Sequence, residues 1–284
     1  KELIPIVEEI SKWTTVPIVV KANAGLPDPV TNTYNVLPDE FADTCKEMVK
    51  YGAKVLGGCC GTTPAYVAKL KEMVATVNAS VVKKKPRQLA VCTPLKTVVV
   101  DQPRIVGERI NPTGKKRFKQ ALRDNDMNYI LSQAIEQIDA GADILDVNVG
   151  SPDIDEKEMM VRVIKALQAI VDVPLQIDST KPEVLEAALR VYNGKPIVNS
   201  VNGEEEVLDT ILPIVAKYGG AVIGLALDEN GIPPTAEGRV EIAKRIRDKA
   251  MSYGIPKEDI IIDCLTLTVS AEQKAAAETL KAMN

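Results

Sequence analysis

Short carboxylate and amide side chains recur where the strands predicted in the second half of the chain end: Asp146, Asn148, Asp178, Asn199 and Asp263. Any one of them alone is typical of a turn or a helix N-cap, where Asp and Asn are favoured. Five at one predicted edge of a sheet favour a binding site instead. Because carboxylates accept N–H groups while amides both donate and accept, the set suits a flat heterocycle such as a pterin.

A second candidate site is the pair Cys59 and Cys60, in the stretch VLGGCCGTTPAYV. Neighbouring residues of a regular strand point to opposite faces, so an ordinary strand cannot aim both thiols at one target. Gly57, Gly58 and Gly61 would let the backbone turn and bring both sulfurs round. The other interpretation is two small buried thiols in a tight strand-to-helix turn, and this stretch alone leaves both open.

The chain contains no histidine. This excludes Ser-His and Cys-His catalytic pairs and any histidine metal ligand. Chemistry must therefore come from carboxylates, amides, thiolates or a cofactor that brings its own reactivity.

The composition is typical of a soluble globular protein, with 45% hydrophobic and 26% charged residues among 284. That length suits one large domain or two ordinary ones. A formal net charge of −4 argues against binding nucleic acid through bulk electrostatics. No apolar run approaches the roughly 18 residues of a membrane span, so no membrane partner is expected. Five cysteines do not suggest a disulfide framework, and a cytoplasmic location fits best.

The first eighty residues alternate helix and strand and so place the cysteine pair at the end of a strand. Apolar spacing and a proline in the first turn of the last helix support these elements. We predict helices at 3–12, 41–51 and 63–77, and strands at 17–20 and 53–56. Between 81 and 104 the character changes, with KKKPRQ followed by CTPLKTVVVDQP. This stretch is the predicted linker, and its lysines are interpreted as solvated rather than as a binding patch.

After the linker the alternation is cleaner and indicates βαβ units with a parallel sheet buried on both faces. Polar residues end every predicted strand, which in a barrel would crowd one mouth. The Gly-rich GxGxxG turn of a doubly wound sheet is absent. We therefore predict a (β/α)8 barrel with strands at 105–107, 144–149, 174–178, 196–200, 221–227 and 259–263. Amphipathic helices are predicted at 127–139, 156–171, 182–192, 204–218 and 238–253.

Six units after the linker, and two strands before it, are fewer than the eight that close a barrel. The prediction is therefore an α/β protein of two (β/α)8 TIM barrels joined by a linker, both incomplete in this chain. Residues 1–80 would be the end of the first barrel, 81–104 the linker, and 105–284 the second barrel without its last βα units.

The motifs GERINPTGKKRFK, DILDVNVGSPD, LQIDST, PIVNSVNG and IIIDC resemble, in that order, the pterin-binding family of dihydropteroate synthases and folate-dependent methyltransferases. Upstream, VKANAGLPD and GAKVLGGCCGTTPAYVAKL are similar to the last strands of the homocysteine-binding barrel in the cobalamin-dependent methionine synthase family. The resemblance covers nearly the whole chain, and the combination of both motif sets is more specific than either alone.

For the cysteine pair, the resemblance implies that Cys59 and Cys60 are two of three thiolate ligands to a catalytic zinc, with homocysteine sulfur as the fourth. The third cysteine would lie on an earlier strand, upstream of Lys1. Zinc prefers four tetrahedral ligands, so two adjacent cysteines should hold it weakly. Cys45, Cys92 and Cys264 are not expected to take part.

For the second barrel, the resemblance implies binding of 5-methyltetrahydrofolate with its methyl group exposed at the mouth. The methyl group would pass to cob(I)alamin on a cobalamin-binding domain of the same enzyme, and then to homocysteine, forming methionine and tetrahydrofolate. Asn199 would lie nearest N5 and act in catalysis. Without histidine, the proton for N5 must come through water or a carboxyl, and we expect an Asn-and-water route. The implied folate-binding residues are Glu108, Asn111, Asp146, Asn148, Asp178, Asn199 and Asp263.

Three alternatives remain. A dihydropteroate synthase-like enzyme would carry a Lys and a Ser-Arg-Lys near its last two strands, which this chain does not reach. A corrinoid-protein folate methyltransferase would need no homocysteine domain, and GGCCG argues against it. A non-catalytic docking fragment for a cobalamin domain would not bind methyltetrahydrofolate, so folate binding separates it from an enzyme.

Overall fold

The computed structural model describes residues 2–78, 80–266 and 273–284. The chain divides into two compact units, 1–87 and 88–284. The boundary between them falls inside the stretch predicted as a linker. No helix in the described parts of the chain has the length and apolar character needed to cross a membrane.

The described part of the first unit alternates helix and strand as predicted. Its two strands pair in parallel, and Ala22 stands opposite Gly58 in their register. Phe41 and Tyr66 pack edge to face, with ring centroids 5.5 Å apart, and join two of the helices. This packing fixes the strand ends, and therefore the turn that carries the cysteines. The elements are α1 (Leu3–Trp13), β1 (Ile18–Ala22), α2 (Pro38–Lys50), β2 (Ala53–Gly58) and α3 (Pro64–Val74).

The second unit is built on a parallel sheet in which each strand pairs with the next along the chain. All six predicted strands form in the described residues: β5 (Val106–Ile110), β6 (Ile144–Val147), β7 (Leu175–Asp178), β8 (Ile197–Val201), β9 (Ala221–Leu225) and β10 (Ile260–Asp263). Sequential parallel order is the arrangement of a (β/α) barrel and not of a doubly wound sheet. The predicted α/β barrel architecture is confirmed.

Helices cover the outer face of this sheet: α4 (Lys116–Asp124), α5 (Met127–Asp139), α6 (Glu156–Ile170), α7 (Pro182–Val191), α8 (Glu205–Tyr218), α9 (Ala236–Ser252) and α10 (Gln273–Met283). Alternate strand residues such as Val147, Ile177 and Val198 pack against these helices in the main hydrophobic core. The remaining alternate residues point inward, as the two-residue period of a strand requires. Side chains on the inner face are therefore not constrained by packing against the helices and can form a site.

The amino ends of the inner face are apolar and are covered by a hairpin. Its strands are β3 (Ala90–Cys92) and β4 (Thr97–Val99), paired antiparallel. Val91 and Val98 are buried against the inward-facing side chains of Ile144, Ile197 and Ala221. The predicted linker at 81–104 thus contains a hairpin, because the apolar end of the inner face would otherwise meet water.

Candidate functional site

The inner face changes from apolar to polar toward the carboxyl ends of the strands. In the register of the sheet, Asp146 on β6 stands opposite Gln176 on β7. Two residues further along β7, on the same face, Asp178 stands opposite Asn199 on β8. Residues opposite each other in a sheet point to the same side. The sheet therefore gathers these polar side chains at one mouth, above the apolar layer.

Hydrogen bonds join these side chains into two groups, and the register that sets Asp178 opposite Asn199 brings the two groups together as one cluster. Gln176 Nε2 and Asn199 Nδ2 both donate to Asp146 Oδ1, at 2.6 and 3.2 Å. Asn148 Nδ2 donates to Asp178 Oδ2 at 2.9 Å. The other carboxyl oxygen of Asp146, Oδ2, is buried and finds no partner among the described residues. Such an atom is costly to bury unless a ligand satisfies it.

The cluster is poised to hold a proton. Burial raises the pKa of Asp146 to about 7, and the charges of Asp178 and Glu108 add to this effect, against the hydrogen bonds from Gln176 and Asn199. Burial also raises the pKa of Asp178, with the hydrogen bond from Asn148 opposing it. A pKa raised into this range lets the Asp146 carboxyl gain or lose a proton near neutral pH, which general acid–base chemistry requires.

The other three predicted folate contacts lie outside the hydrogen-bonded cluster. Glu108 is exposed in the middle of β5, and its charge raises the pKa of the buried Asp146 and of the half-buried Asp178. Asn111 uses its Oδ1 to accept from Thr113 N at 2.9 Å. Asp263, exposed at the end of β10, accepts from Leu265 N at 2.7 Å. The structure brings Asp146, Asn148, Asp178 and Asn199 together and leaves these three around them.

Two members of the site were not predicted from the sequence. Gln176 is one of them, although a polar residue at an inward position of an apolar strand is a readable signal. The other is Glu156, the first residue of α6, which is almost buried. It accepts from Ser179 Oγ at 2.6 Å and pairs with Lys181 Nζ at 2.9 Å. Glu156 thereby fixes the turn that follows Asp178.

A buried arginine fixes the turn that follows Asp263. Arg239 on α9 is 1% exposed. Its guanidinium donates to the carbonyl oxygens of Cys264 and Leu265 at 2.9 and 3.1 Å, and to Pro233 O at 3.0 Å. Because Cys264 and Leu265 directly follow Asp263, Arg239 fixes the backbone next to this carboxylate.

In the first unit, the cysteine turn is tied to the end of β1. Cys59 N donates to Ala22 O, and Cys60 N donates to Asn23 Oδ1 at 3.1 Å. Gly61 has a φ of +77°, and a Cβ there would lie 2.2 Å from the ring of Tyr34. Glycine is required at this position on both grounds.

Both thiols are exposed, so the interpretation as buried thiols is wrong, and their sulfurs lie 3.9 Å apart. Two thiolates on a tetrahedral zinc at about 2.3 Å are separated by about 3.8 Å. The pair therefore fits two corners of a zinc site. Within the described ranges, no group of three or more His, Cys, Asp or Glu side chains is placed to hold a metal. Burial raises the pKa of Cys45 to about 11, which makes that thiol a poor ligand.

Comparison with protein families identifies both units. Residues 107–284 match the model of the pterin binding enzyme family. Residues 1–74 match the model of the homocysteine S-methyltransferase family. The order of the two matches is the order of the two motif sets in the sequence, and the resemblance inferred from those motifs is confirmed.

Curated relatives extend the match over both units. The chain is 33% identical to methionine synthase of Mycobacterium leprae over 294 aligned residues, covering 96% of this chain and 24% of the relative. It is 32% identical to methionine synthase of Mycobacterium tuberculosis, again covering 96% of this chain and 24% of the relative. The chain therefore spans about a quarter of the length of these relatives.

Solved structures show the same fold as the second unit. Dihydropteroate synthase of Xanthomonas albilineans with 4-aminobenzoic acid superposes with a TM-score of 0.54 at 21% identity, covering 68% of this chain and 72% of that one. The same enzyme in complex with 7,8-dihydropteroate gives 0.52 at 20% identity, covering 69% and 72%. At this level of sequence identity, the similarity shows only that the fold is shared. With the family match covering most of its length, the chain belongs to the pterin binding enzyme family.

Proposed function

We propose that this chain takes part in methyl transfer from 5-methyltetrahydrofolate to homocysteine, with cobalamin on another domain as the intermediate methyl carrier. The second unit would bind the folate at its polar mouth, and the first would bind homocysteine at the cysteine pair. The two family matches and the methionine synthase relatives support this assignment. A cytoplasmic location, expected from the number of cysteines in the sequence, is part of this proposal.

One observation carries the proposal for the folate mouth. Asn199 donates to a buried carboxyl, Asp146, whose pKa is raised to about 7 and whose second oxygen lacks a partner among the described residues. A site that needs no ligand has no reason to keep such a group. A reduced pterin offers ring and exocyclic N–H groups and a basic N5, which match the exposed edge of this cluster.

The chemistry at N5 assigns roles to these two residues. When the methyl group leaves N5, the electron pair of the broken bond stays on nitrogen, and an amide-like anion would be a poor leaving group unless it receives a proton. The Asp146 carboxyl, protonated in part at neutral pH, would supply that proton. The Asn199 carbonyl oxygen would accept a hydrogen bond from the N5–H so formed, while its amide stays bonded to Asp146. This favours a carboxyl as the proton source over the expected Asn-and-water route.

The remaining mouth residues would orient the ring. Asp178 and Asp263 would accept from its N–H groups, and the amide of Asn148 would donate to a ring acceptor. Asp146 would contact the ring while protonating N5. Glu108 on β5 and Asn111 in the loop after it would border the same ring. Charge-assisted hydrogen bonds of this kind contribute about 1.5–3 kcal/mol each.

At the first unit, Cys59 and Cys60 would hold a zinc ion together with a ligand outside the described residues. Bound zinc keeps a coordinated homocysteine sulfur as a thiolate near neutral pH. The residues of this chain present the two sulfurs: β1 anchors the turn through Ala22 and Asn23, and Gly61 lets it pass beneath Tyr34.

The test is folate binding and methyl transfer by the chain itself. Calorimetry should show that 5-methyltetrahydrofolate binds with a 1:1 stoichiometry, and visible spectra should show methylation of added cob(I)alamin. Absence of folate binding would leave the docking role in place of the enzymatic one. A dihydropteroate synthase-like activity, which the fold alone does not distinguish, would show as condensation of a pterin pyrophosphate with 4-aminobenzoate.

A further inference from the structure

Acidic residues begin the helices that follow four consecutive strands of the second unit. A negative charge in the first turn of a helix interacts favourably with the free N–H groups there, and it can do so while exposed to water. Glu156 is the buried member of this group, and the exposed members are Glu158, Glu183, Glu205, Glu206 and Glu237. The helix terminus therefore does not account for the burial of Glu156.

The ion pair between Glu156 and Lys181 does not account for that burial either. Lys181 Nζ lies 2.9 Å from Glu156 Oε2, and the lysine side chain is 55% exposed. An ion pair with an exposed lysine contributes little to stability, whereas moving a carboxylate out of water is costly. The reason for burying Glu156 must therefore lie in the contact made by its other oxygen, Oε1.

Ser179 connects Glu156 Oε1 to the proposed folate mouth. Its hydroxyl donates to Glu156 Oε1 at 2.6 Å and accepts from Lys181 N at 3.2 Å. Its backbone N donates to the carbonyl oxygen of Asn199 at 3.1 Å. Ser179 is buried and directly follows Asp178. One serine therefore ties the end of β7 to the end of β8, to the start of α6 and to the start of α7.

The carboxyl group of Glu156 is also close to the loop that follows Asn148. A Cβ at Gly150 would lie 3.9 Å from the carboxyl carbon of Glu156 and 3.2 Å from Asn148 Oδ1. Gly150 N donates to Asn148 Oδ1 at 2.8 Å, and Asn148 Nδ2 donates to Asp178 Oδ2 at 2.9 Å. Glu156 therefore supports the backbone next to both Asp178 and Asn148, two residues that hydrogen-bond to each other at the mouth.

We propose that Glu156 is a positioning residue for folate binding: through Ser179 it holds the Asp178 carboxylate and the Asn148 amide in the orientation that binds the pterin ring. This rests on the proposed function, because it requires a reduced pterin to occupy the mouth. A hydrogen bond to a ring N–H group depends on the direction of the carboxylate as well as on its distance. Without the Glu156 acceptor, the turn that follows Asp178 loses one of its fixed points.

Loss of this contact should weaken folate binding more than it slows methyl transfer. Asp146 and Asn199, to which we assign the chemistry at N5, keep the hydrogen bond between them when Glu156 is replaced. In calorimetry, Glu156→Ala should bind 5-methyltetrahydrofolate about 5- to 50-fold more weakly, which is part of the cost of one charge-assisted hydrogen bond. In visible spectra, the rate of cob(I)alamin methylation at saturating folate should fall by less than about threefold.

Glu156→Gln should restore the affinity to within about threefold of the unmodified chain, because the amide oxygen can still accept from Ser179 Oγ. An affinity as low as that of Glu156→Ala would mean that the ion pair with Lys181 is what matters, and would overturn the inference. The matched control is Glu205→Ala, at the first residue of α8, where the side chain is 85% exposed. This variant should keep the affinity of the unmodified chain.

Ser179→Ala removes the same hydrogen bond from its other side, and it provides the test if Glu156→Ala does not fold. It should weaken folate binding about as much as Glu156→Ala. The variant with both substitutions should bind no more weakly than the weaker single variant, because a shared contact is lost only once. Urea denaturation measures the folded fraction to which each affinity refers.

Three results would overturn the inference and leave the proposed function in place. These are unchanged affinity in Glu156→Ala and Ser179→Ala, additive losses in the double variant, or a loss of rate at saturating folate that exceeds the loss of affinity. Failure of the unmodified chain to bind 5-methyltetrahydrofolate would overturn the proposed function and the inference with it, so the two failures are distinct.

Discussion

Asn199 on β8 reaches over the intervening strand β7 to bond Asp146 on β6, at 3.2 Å. Adjacent strands lie about 4.8 Å apart, so side chains on alternate strands of a flat sheet would be separated by about twice that distance. The bond forms because the sheet curves and its inner face is concave. The curvature of the barrel therefore brings Asp146 and Asn199 into contact. Gln176, on the strand between them, also donates to Asp146.

Replacing Asn199 by alanine should impair methyl transfer more than folate binding. Its carbonyl would gain its strongest hydrogen bond only as N5 becomes a protonated amine, so the loss falls on the transition state. We expect the rate of cob(I)alamin methylation to fall about 10²- to 10³-fold, the scale for removing one preorganised group. The affinity for 5-methyltetrahydrofolate should change only a few-fold.

The control for that variant is Asn202→Ala, directly after the end of β8, whose amide donates to Glu204 at 2.8 Å instead of to the cluster. It should leave the methylation rate near that of the unmodified chain. Equal losses in rate and affinity for Asn199→Ala would contradict the assigned role.

Asp178→Asn should weaken folate binding by about 1–3 kcal/mol, the scale of one charge-assisted hydrogen bond. The substitution keeps the shape of the side chain but removes the charge that a pterin N–H group would meet. Calorimetry with 5-methyltetrahydrofolate measures the effect, and Asp248→Asn, an exposed position on α9, is the control. Unchanged affinity would remove Asp178 from the site.

Asp146→Asn should make the stability of the free protein less dependent on pH. The folded state raises the pKa of Asp146 from 3.8 to about 7, so the folded carboxyl holds its proton more tightly than the unfolded one. The contribution of Asp146 to the free energy of unfolding is largest below about pH 4. It decreases as the pH rises toward 7 and does not change further above that. The loss is about 4 kcal/mol at most.

Urea denaturation should therefore show that the free energy of unfolding of Asp146→Asn rises relative to that of the unmodified protein from about pH 4 to pH 7. Above pH 7 the difference should stay constant. The amide can still accept from Gln176 and Asn199 through its oxygen, so packing is kept. A stability difference that does not vary with pH would show that Asp146 is ionised in the folded state.

The strands of the second unit could be predicted because each is a short apolar run that ends in a polar residue. The hairpin at 90–99 could not, because its three-residue strands are stable only against Ile144, Ile197 and Ala221, which are distant in the sequence. The site shows the same division. Asp146, Asp178 and Asn199 could be read from strand ends, whereas Glu156 is a helix residue whose partners lie on another loop.

Arg239→Met should destabilise the second unit by about 3 kcal/mol, because it leaves the part-buried carbonyl oxygens of Pro233, Cys264 and Leu265 without their donor. The matched control on the same helix is Arg247→Met, whose side chain is 47% exposed and pairs with the exposed Asp248, and which should cost less than about 1 kcal/mol. Urea denaturation compares the two. Similar small losses would show that Arg239 does not hold the turn after Asp263.

The cysteine pair should bind zinc weakly and bind it more tightly when homocysteine is present. Two thiolates 3.9 Å apart supply two of the four ligands that zinc prefers, and homocysteine sulfur adds one more. Equilibrium dialysis of reduced protein should show one zinc per chain that a chelator removes readily, with affinity rising as homocysteine is added.

Cys59→Ser and Cys60→Ser should each abolish this binding, since a hydroxyl is a far poorer zinc ligand than a thiolate. Cys92→Ser, on the hairpin of the second unit, should leave it intact. Zinc that stays bound at full stoichiometry through chelator treatment would mean that the described residues contain a ligand set beyond Cys59 and Cys60. If homocysteine does not change the affinity for zinc, the metal does not bind the methyl acceptor. The site would then leave no position for the substrate sulfur.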